Sequence, residues 1–344
     1  MTTTNPAAPA APLAPPDPAR IAKTVATKLP FRGDVTGLTP LAGDASNRRY
    51  FRIALKGKPS ALILMQLADP EGFKKSEEAV SGASVQIAEL PFTNVLAHLQ
   101  RTGVTVPQLH YYDREAGLLY LEDFGDLTLA EACRDADRAR LVALYRQAID
   151  QLVLLQVKGT QPPAPGCIAF HRRFDVSLLM WEFDHFLEYG IAARLGQPMK
   201  PADDAAVRAA FQRIAELLAG QPQVFVHRDY HSRNLMVDGA RLGIIDFQDA
   251  LMGPATYDLA SLLKDAYIEL DDAVVDGLVD HFLNGLVAHG QGWADRAAFR
   301  RLFDFTSIQR NLKAAGRFVY IDRVKHNPKF LADIPRVLGY VKRN

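Results

Sequence analysis

The spacing of apolar and polar positions divides the chain into two textures. Between residues 38 and 122, short apolar runs alternate with turns of small and polar residues. A first run from Leu38 meets the turn Gly43-Asp44-Ala45-Ser46-Asn47, followed by Tyr50-Phe51-Arg52-Ile53. A second turn, Lys56-Gly57-Lys58-Pro59, leads into Ala61-Leu62-Ile63-Leu64-Met65, so three antiparallel strands are predicted. Residues 92–101 have helical spacing and stop at Gly103, and 109–113 and 117–122 predict two more short strands. Beyond Gly125 the period becomes helical, over 141–157, 176–195, 203–219 and from 257 onward. Only the short apolar runs 224–226, 235–237 and 242–245 interrupt it. The pattern predicts an α+β, two-lobed fold: a small antiparallel-sheet N-lobe over 31–125 and a larger helical C-lobe over 126–344. The Ala- and Pro-rich residues 1–30 are expected to be a disordered lead-in.

Composition narrows the classes of function. The 344 residues are 48% hydrophobic, enough for two cores, and 40 Lys and Arg stand against 39 Asp and Glu. A protein that works on phosphate backbones carries a clear basic excess, so nucleic acid is not an expected partner. No run approaches the roughly 18 apolar residues of a membrane span. The first eighteen residues lack the basic start and apolar stretch of a secretory leader. Cys133 and Cys167 are too few for a disulfide scaffold and too far apart for a zinc site, which fits a cytoplasmic protein.

The strongest chemical signal is His227-Arg228-Asp229-Tyr230-His231-Ser232-Arg233-Asn234, with Ile245-Asp246-Phe247 shortly after it. Taken singly, Asp229 and Asn234 are plain turn residues, and His227 and His231 are core histidines or metal ligands, the latter disfavoured because their i, i+4 spacing has no helical context and no third ligand nearby. Taken together they match the H-R-D-x-x-x-x-N loop of kinases, with a metal-binding aspartate downstream. One carboxylate for the acceptor proton, plus a carboxamide and a second carboxylate for Mg²⁺, is the minimum set for phosphoryl transfer from ATP. That reaction needs positioning and charge neutralisation more than covalent help.

The segment 226–260 resembles the aminoglycoside phosphotransferase family of small-molecule kinases, which share a protein-kinase-like fold. It carries the loop, Asp246 followed by Asp249, and Gly253-Pro254 leading to Tyr257-Asp258-Leu259-Ala260. The resemblance implies Asp229 as catalytic base, Asn234 and Asp246 as Mg²⁺ ligands, and His227 and Asp258 as supports of the loop. Asp246-Phe247-Gln248 replaces the D-F-G of protein kinases, which favours a small-molecule acceptor. Within the family the chain is most similar to bacterial anomeric N-acetylmuramate/N-acetylglucosamine kinases. That similarity runs through 43–52, Pro91-Phe92, 309–313 and 331–336. It implies phosphorylation of the anomeric hydroxyl of an amino sugar in cell-wall recycling.

The nucleotide is expected at Gly43, Asp44, Ala45, Ser46 and Asn47, where small residues let backbone N–H groups approach phosphate. Arg49 is a neighbouring cation, and Glu122, Asp123 and Phe124 form the segment joining the lobes, whose backbone would meet adenine. Met65 stands where kinases carry the third-strand lysine. Arg49, Lys74 and Lys75 are the candidate replacements, with Glu89 as a helix-side partner. For the acceptor, residues 301–344 hold ten Lys and Arg against three acids. Such a tail repels a polycationic aminoglycoside and favours a neutral or carboxylate-bearing sugar, with Arg310 or Lys313 as the carboxylate partner. Asp175, Glu182, Asp184 and Glu188 form an acidic stripe on a helix that could face a cation instead, with most of them expected at the surface. Two alternatives stand: a kinase of aminoglycosides or choline-like amino alcohols, and a nucleotide-binding pseudokinase adaptor, to which the absent lysine points.

Overall fold

A computed structural model describes residues 14–41, 48–67, 89–293 and 295–344. Contacts divide the chain into two units, one of residues 1–72 and 108–123, the other of residues 73–107 and 124–344.

The first unit is a five-stranded antiparallel sheet. Its strands are β1 (Asp34–Pro40), β2 (Arg49–Lys56), β3 (Ala61–Gln66), β4 (Leu109–Asp113) and β5 (Leu118–Glu122), in the order β1-β2-β3-β5-β4. Alternation places Phe51, Ile53, Leu55, Leu62, Leu64, Leu118 and Tyr120 on one buried face. The helix α1 (Pro18–Lys28) completes that core with Ile21 and Val25. This corrects the disordered lead-in expected over 1–30, whose residues 1–13 lie outside the described residues. Asp17 accepts a hydrogen bond from the Ala19 amide and Pro18 opens the first turn, a helix start with its own stop on fraying. Arg20 then grips Asp113 through two hydrogen bonds of 2.7 and 2.8 Å and Glu115 through one of 2.7 Å.

The second unit is mostly helical. Helix α2 (Pro91–Thr102) ends at Gly103, whose φ of 81° supplies the left-handed cap. It belongs to this unit and not to the N-lobe as the sequence implied, because its polar face is bonded there. The Asn94 side chain donates to Gly166 O and accepts from the Ile168 amide, both at 2.8 Å. Helix α3 (Leu129–Arg134) starts with a capping box between Thr128 and Glu131, and α4 (Arg138–Thr160) is the central buried helix. Helix α5 (Val176–His185) continues as a π-helical segment, Phe186–Ala193, where one helix was expected, and α6 (Pro201–Ala219) follows.

Two short ribbons come next. Strand β6 (Gln223–Val226) pairs with β9 (Leu251–Pro254), and β7 (Leu235–Asp238) with β8 (Arg241–Ile244). Then come α7 (Thr256–Leu263), buried along its whole length, α8 (Asp272–Ala288), the 30-residue α9 (Arg296–Lys325) and α10 (Ile334–Arg343). Helix α9 crosses the α5 end at Gly316, where a Cβ would stand 2.8 Å from the Phe186 Cα. Among the described residues no helix is long and apolar enough to cross a membrane.

Candidate active site

The β6–β7 connection is a loop whose shape is imposed from below. Arg228 has φ 81°, a left-handed conformation that costs a side-chain-bearing residue energy. The carboxylate of Asp258, in the first turn of α7 and fully buried, offsets that cost. It accepts the amide of His227 at 2.6 Å and the amide of Arg228 at 2.9 Å. Burial pushes the Asp258 carboxyl up to about 7, against the pull of its two amide donors.

His227 fixes the next residue and the next strand. Its Nδ1 accepts the Asp229 amide at 3.2 Å, which leaves Nε2 to donate to Ile245 O at 2.9 Å. Burial holds the ring below the usual imidazole range, so it stays neutral and keeps that tautomer. Ile245 in turn donates its amide to Asn234 O at 3.0 Å, and the Asn234 Nδ2 donates to Asp229 O at 3.0 Å. The structure thus brings His227, Asp229, Asn234 and Asp258 into one hydrogen-bonded group, to which Ile245, the residue before Asp246, is bonded on both its amide and its carbonyl. Two further anchors hold the loop: Tyr230 donates to Ala148 O at 2.7 Å, and the Ser232 amide donates to Asp265 at 2.9 Å.

Asp246 also has a left-handed φ, 64°, and its Oδ1 accepts from Gln248 at 2.9 Å. Its neighbour Phe247 stacks on Phe92 with ring centroids 5.0 Å apart. With Nδ2 committed to Asp229 O, the oxygen donors of this pair are Asn234 Oδ1 and the Asp246 carboxylate. That hard, all-oxygen pair suits Mg²⁺, which keeps most of its coordination for phosphate oxygens and water. Among the described residues no cluster of three or more His, Cys, Asp or Glu side chains forms a protein-only metal cage.

A second group was not foreseen. Arg228 donates to Glu182 at 3.0 Å, Gln309 to the same carboxylate at 2.8 Å, and Lys313 lies 3.1 Å from it and donates to the Tyr257 hydroxyl at 3.1 Å. Glu182 is fully buried and is the member of the acidic stripe that faces cations and not solvent. The signal was its spacing with Leu178, Leu179 and Phe183, all buried, which puts it on the inward face of α5. Of the others in that stripe, Asp175 caps α5, Asp184 pairs with Arg208, and Glu188 is exposed.

The remaining expected site residues are dispersed. Gly43, Asp44, Ala45, Ser46 and Asn47 lie outside the described residues, as do Lys74 and Lys75. Arg49 opens β2 with its guanidinium 5.1 Å from the Phe51 ring centroid. Met65 is fully buried in β3. Glu89 accepts from Asn94 at 3.0 Å. Glu122 ends β5 and accepts the Gln108 amide at 3.2 Å. Asp123 binds Arg52 through bonds of 2.6 and 3.1 Å. Phe124 is buried against Gly243, where a Cβ would come within 2.4 Å of its ring. Arg310 is buried and donates to Ser261 at 2.7 Å.

Comparison with known proteins places this geometry. N-acetylmuramate/N-acetylglucosamine kinase of Pseudomonas putida is 34% identical over 309 residues, 88% of this chain and 82% of that one. The enzyme of the same name from Neisseria meningitidis is 32% identical, over 89% of this chain and 85% of its own. Among solved structures, a choline/ethanolamine kinase family protein from Mesorhizobium loti matches with a TM-score of 0.57 at 18% identity, over 94% of this chain and 92% of its own. The ADP-bound aminoglycoside phosphotransferase APH(2'')-Ib matches with a TM-score of 0.58 at 12% identity, over 94% and 97%. Both show the shared fold, a two-lobed α+β kinase fold. Residues 37–299 match the Phosphotransferase enzyme family, and with relatives this similar over most of its length the chain belongs to that family.

Proposed function

We propose that this family member transfers the γ-phosphoryl group of ATP to the anomeric hydroxyl of N-acetylmuramate or N-acetylglucosamine. The observation that carries the reading is the Asn234 side chain bonded to Asp229 O while the Asn234 carbonyl accepts the amide of Ile245, the residue before Asp246, in a chain whose relatives bear the name of that kinase. In this reading Asp229 orients the acceptor hydroxyl and takes its proton as the O–P bond forms and the bond to the ADP leaving group breaks. Asn234 and Asp246 hold Mg²⁺, which when bound neutralises charge on the β- and γ-phosphates. His227 and Asp258 keep the Asp229 carboxylate aimed without touching the reactants. The backbone of residues 43–47 and of 122–124 is assigned to the nucleotide, with Arg49 as a nearby cation.

Of the two cations proposed for the acceptor, Lys313 is retained. Arg310 is buried under the loop on Ser261, and its charge is felt by Asp258 and His231, so it supports the loop from below. A polycationic aminoglycoside is disfavoured by the ten Lys and Arg against three acids over 301–344, and a pseudokinase role by the retention of all three reactive side chains.

ADP formation measured over a panel of amino sugars, aminoglycosides and amino alcohols tests the reading. Mg²⁺-dependent turnover is expected only with the sugars. Asp229→Asn is expected to lower kcat by about 10²–10⁴-fold, with nucleotide affinity changed by less than about three-fold. Turnover close to wild type in that variant sinks the assignment.

A further inference from the structure

The backbone on both sides of Asp246 is fixed, and its side chain is held by Gln248. Ile245, before it, is bonded through its amide to Asn234 O and through its carbonyl to the His227 ring. Phe247, after it, is fully buried against Phe92, and its carbonyl accepts the Ala250 amide at 3.1 Å in a tight turn. Gln248 lies in that turn, 4% exposed, between two half-buried carboxylates. Its Nε2 donates to Asp246 Oδ1 at 2.9 Å and to Asp249 Oδ2 at 3.3 Å.

The two carboxylates dictate which way the amide turns. An ionised carboxylate only accepts, so two of them side by side are joined by a group that donates twice, as an amide nitrogen does. Rotated by half a turn, the Gln248 amide would set its oxygen against two other acceptors. The observed orientation has a cost of its own, because Gln248 Oε1 is buried and no described residue donates to it. An apolar side chain of the same length would fill the space without that loss, so the amide is there for what it donates to. Gln248 also stands at the place of the glycine in D-F-G, a residue with no side chain to make such a bridge.

We propose that Gln248 is a positioning residue for the metal site: it aims the Asp246 carboxylate and ties it to Asp249, so that a small hard cation meets a side chain already in place. This rests on Asp246 as the metal ligand and adds what orients it. A ligand that has lost its supporting hydrogen bond is still present, but the ion itself must then order it, which lowers metal affinity by about 10–100-fold. Asp249 acts through the same amide, as the far anchor of the bridge and not as a ligand.

The test reads metal binding apart from turnover. Mg²⁺ is titrated by calorimetry into the full chain saturated with ADP, with Mg²⁺ into ADP alone subtracted, and ADP is titrated separately without metal. Gln248→Met is expected to raise the half-saturating Mg²⁺ concentration by about ten-fold or more, with metal-free ADP affinity changed by less than about three-fold. Asp249→Ala is expected to raise it by about three-fold or more, and the double variant to match Gln248→Met alone, since both act through one bridge. An unchanged Mg²⁺ concentration in Gln248→Met overturns the proposal. So does an equal loss of ADP affinity with and without metal, which marks a purely structural residue. If Gln248→Met does not fold, Asp249→Ala decides, and unchanged Mg²⁺ binding there overturns the proposal. Asp246→Asn separates it from the metal assignment. Mg²⁺ bound as in the wild type refutes Asp246 as a ligand and the proposal with it, whereas a loss in Asp246→Asn and none in Gln248→Met refutes the proposal alone. A wild type that binds no Mg²⁺ beside ADP refutes both.

Discussion

Arg228 and Asp246, the residue before the proposed base and a proposed metal ligand, both have positive φ. Each such conformation costs roughly 1–3 kcal/mol and persists only where the surroundings over-determine it. For Arg228 the surroundings are explicit: Asp258 on two consecutive amides and Glu182 on the guanidinium. The Asp258 carboxylate must be ionised to accept with both oxygens, while burial raises its pKa to about 7. Two opposite pH dependences follow. The folded pKa lies above the ordinary carboxylate value, so this group's contribution to stability is complete below about pH 4 and is lost as pH rises through about 7. Activity moves the other way, because protonation below about 7 removes one acceptor from under the loop. The kcat profile is expected to show an acid limb near pH 7, and Asp258→Asn to lower kcat by about ten-fold or more while abolishing that limb. A limb unchanged in the variant assigns it to another group.

At the scale of elements, the site depends on a helix crossing. Helix α9 brings Gln309 and Lys313 to Glu182 of α5, and the two helices meet backbone to backbone at Gly316. A Cβ at position 316 would stand 2.8 Å from the Phe186 Cα and 3.1 Å from His185 O, neither of which can rotate away. Gly316→Ala is expected to cost about 1–3 kcal/mol and to lower the Tm by several degrees, with a rise in KM for the acceptor as α9 is displaced. An unchanged Tm in thermal denaturation contradicts this account of the crossing. The π-helical turn at Phe186–Ala193 begins where this contact is made. Its hydrophobic spacing reads as an ordinary helix, and the contact with Gly316, 130 positions away, is not visible in that spacing.

Across the whole molecule, what could be read from the sequence follows how local the interaction is. His227, Asp229, Asn234, Asp246 and Asp258 fall within one stretch of 32 residues, and their types and spacing pointed to the loop before its geometry was known. The five strands were legible for the same reason, since connections of only four residues join β2 to β3 and β4 to β5. The Glu182 group was hidden, because its members come from α5, the loop and α9, and a buried carboxylate looks like a surface one until its partners are found. Helix α1 was obscured by the Pro-rich residues before it, although Asp17-Pro18 and the four-residue spacing of Ile21 and Val25 marked it. The even overall charge, 40 against 39, averages over a local basic excess that the sequence itself showed, ten Lys and Arg against three acids over 301–344. The central claim, transfer to the anomeric hydroxyl of an amino sugar, is tested most directly by ³¹P NMR of the product formed from ATP and N-acetylmuramate. A sugar phosphate whose phosphorus couples to the anomeric proton is the predicted result. A phosphorus coupled to the C6 protons, or no sugar phosphate beside clear transfer to an amino alcohol or aminoglycoside, would contradict it.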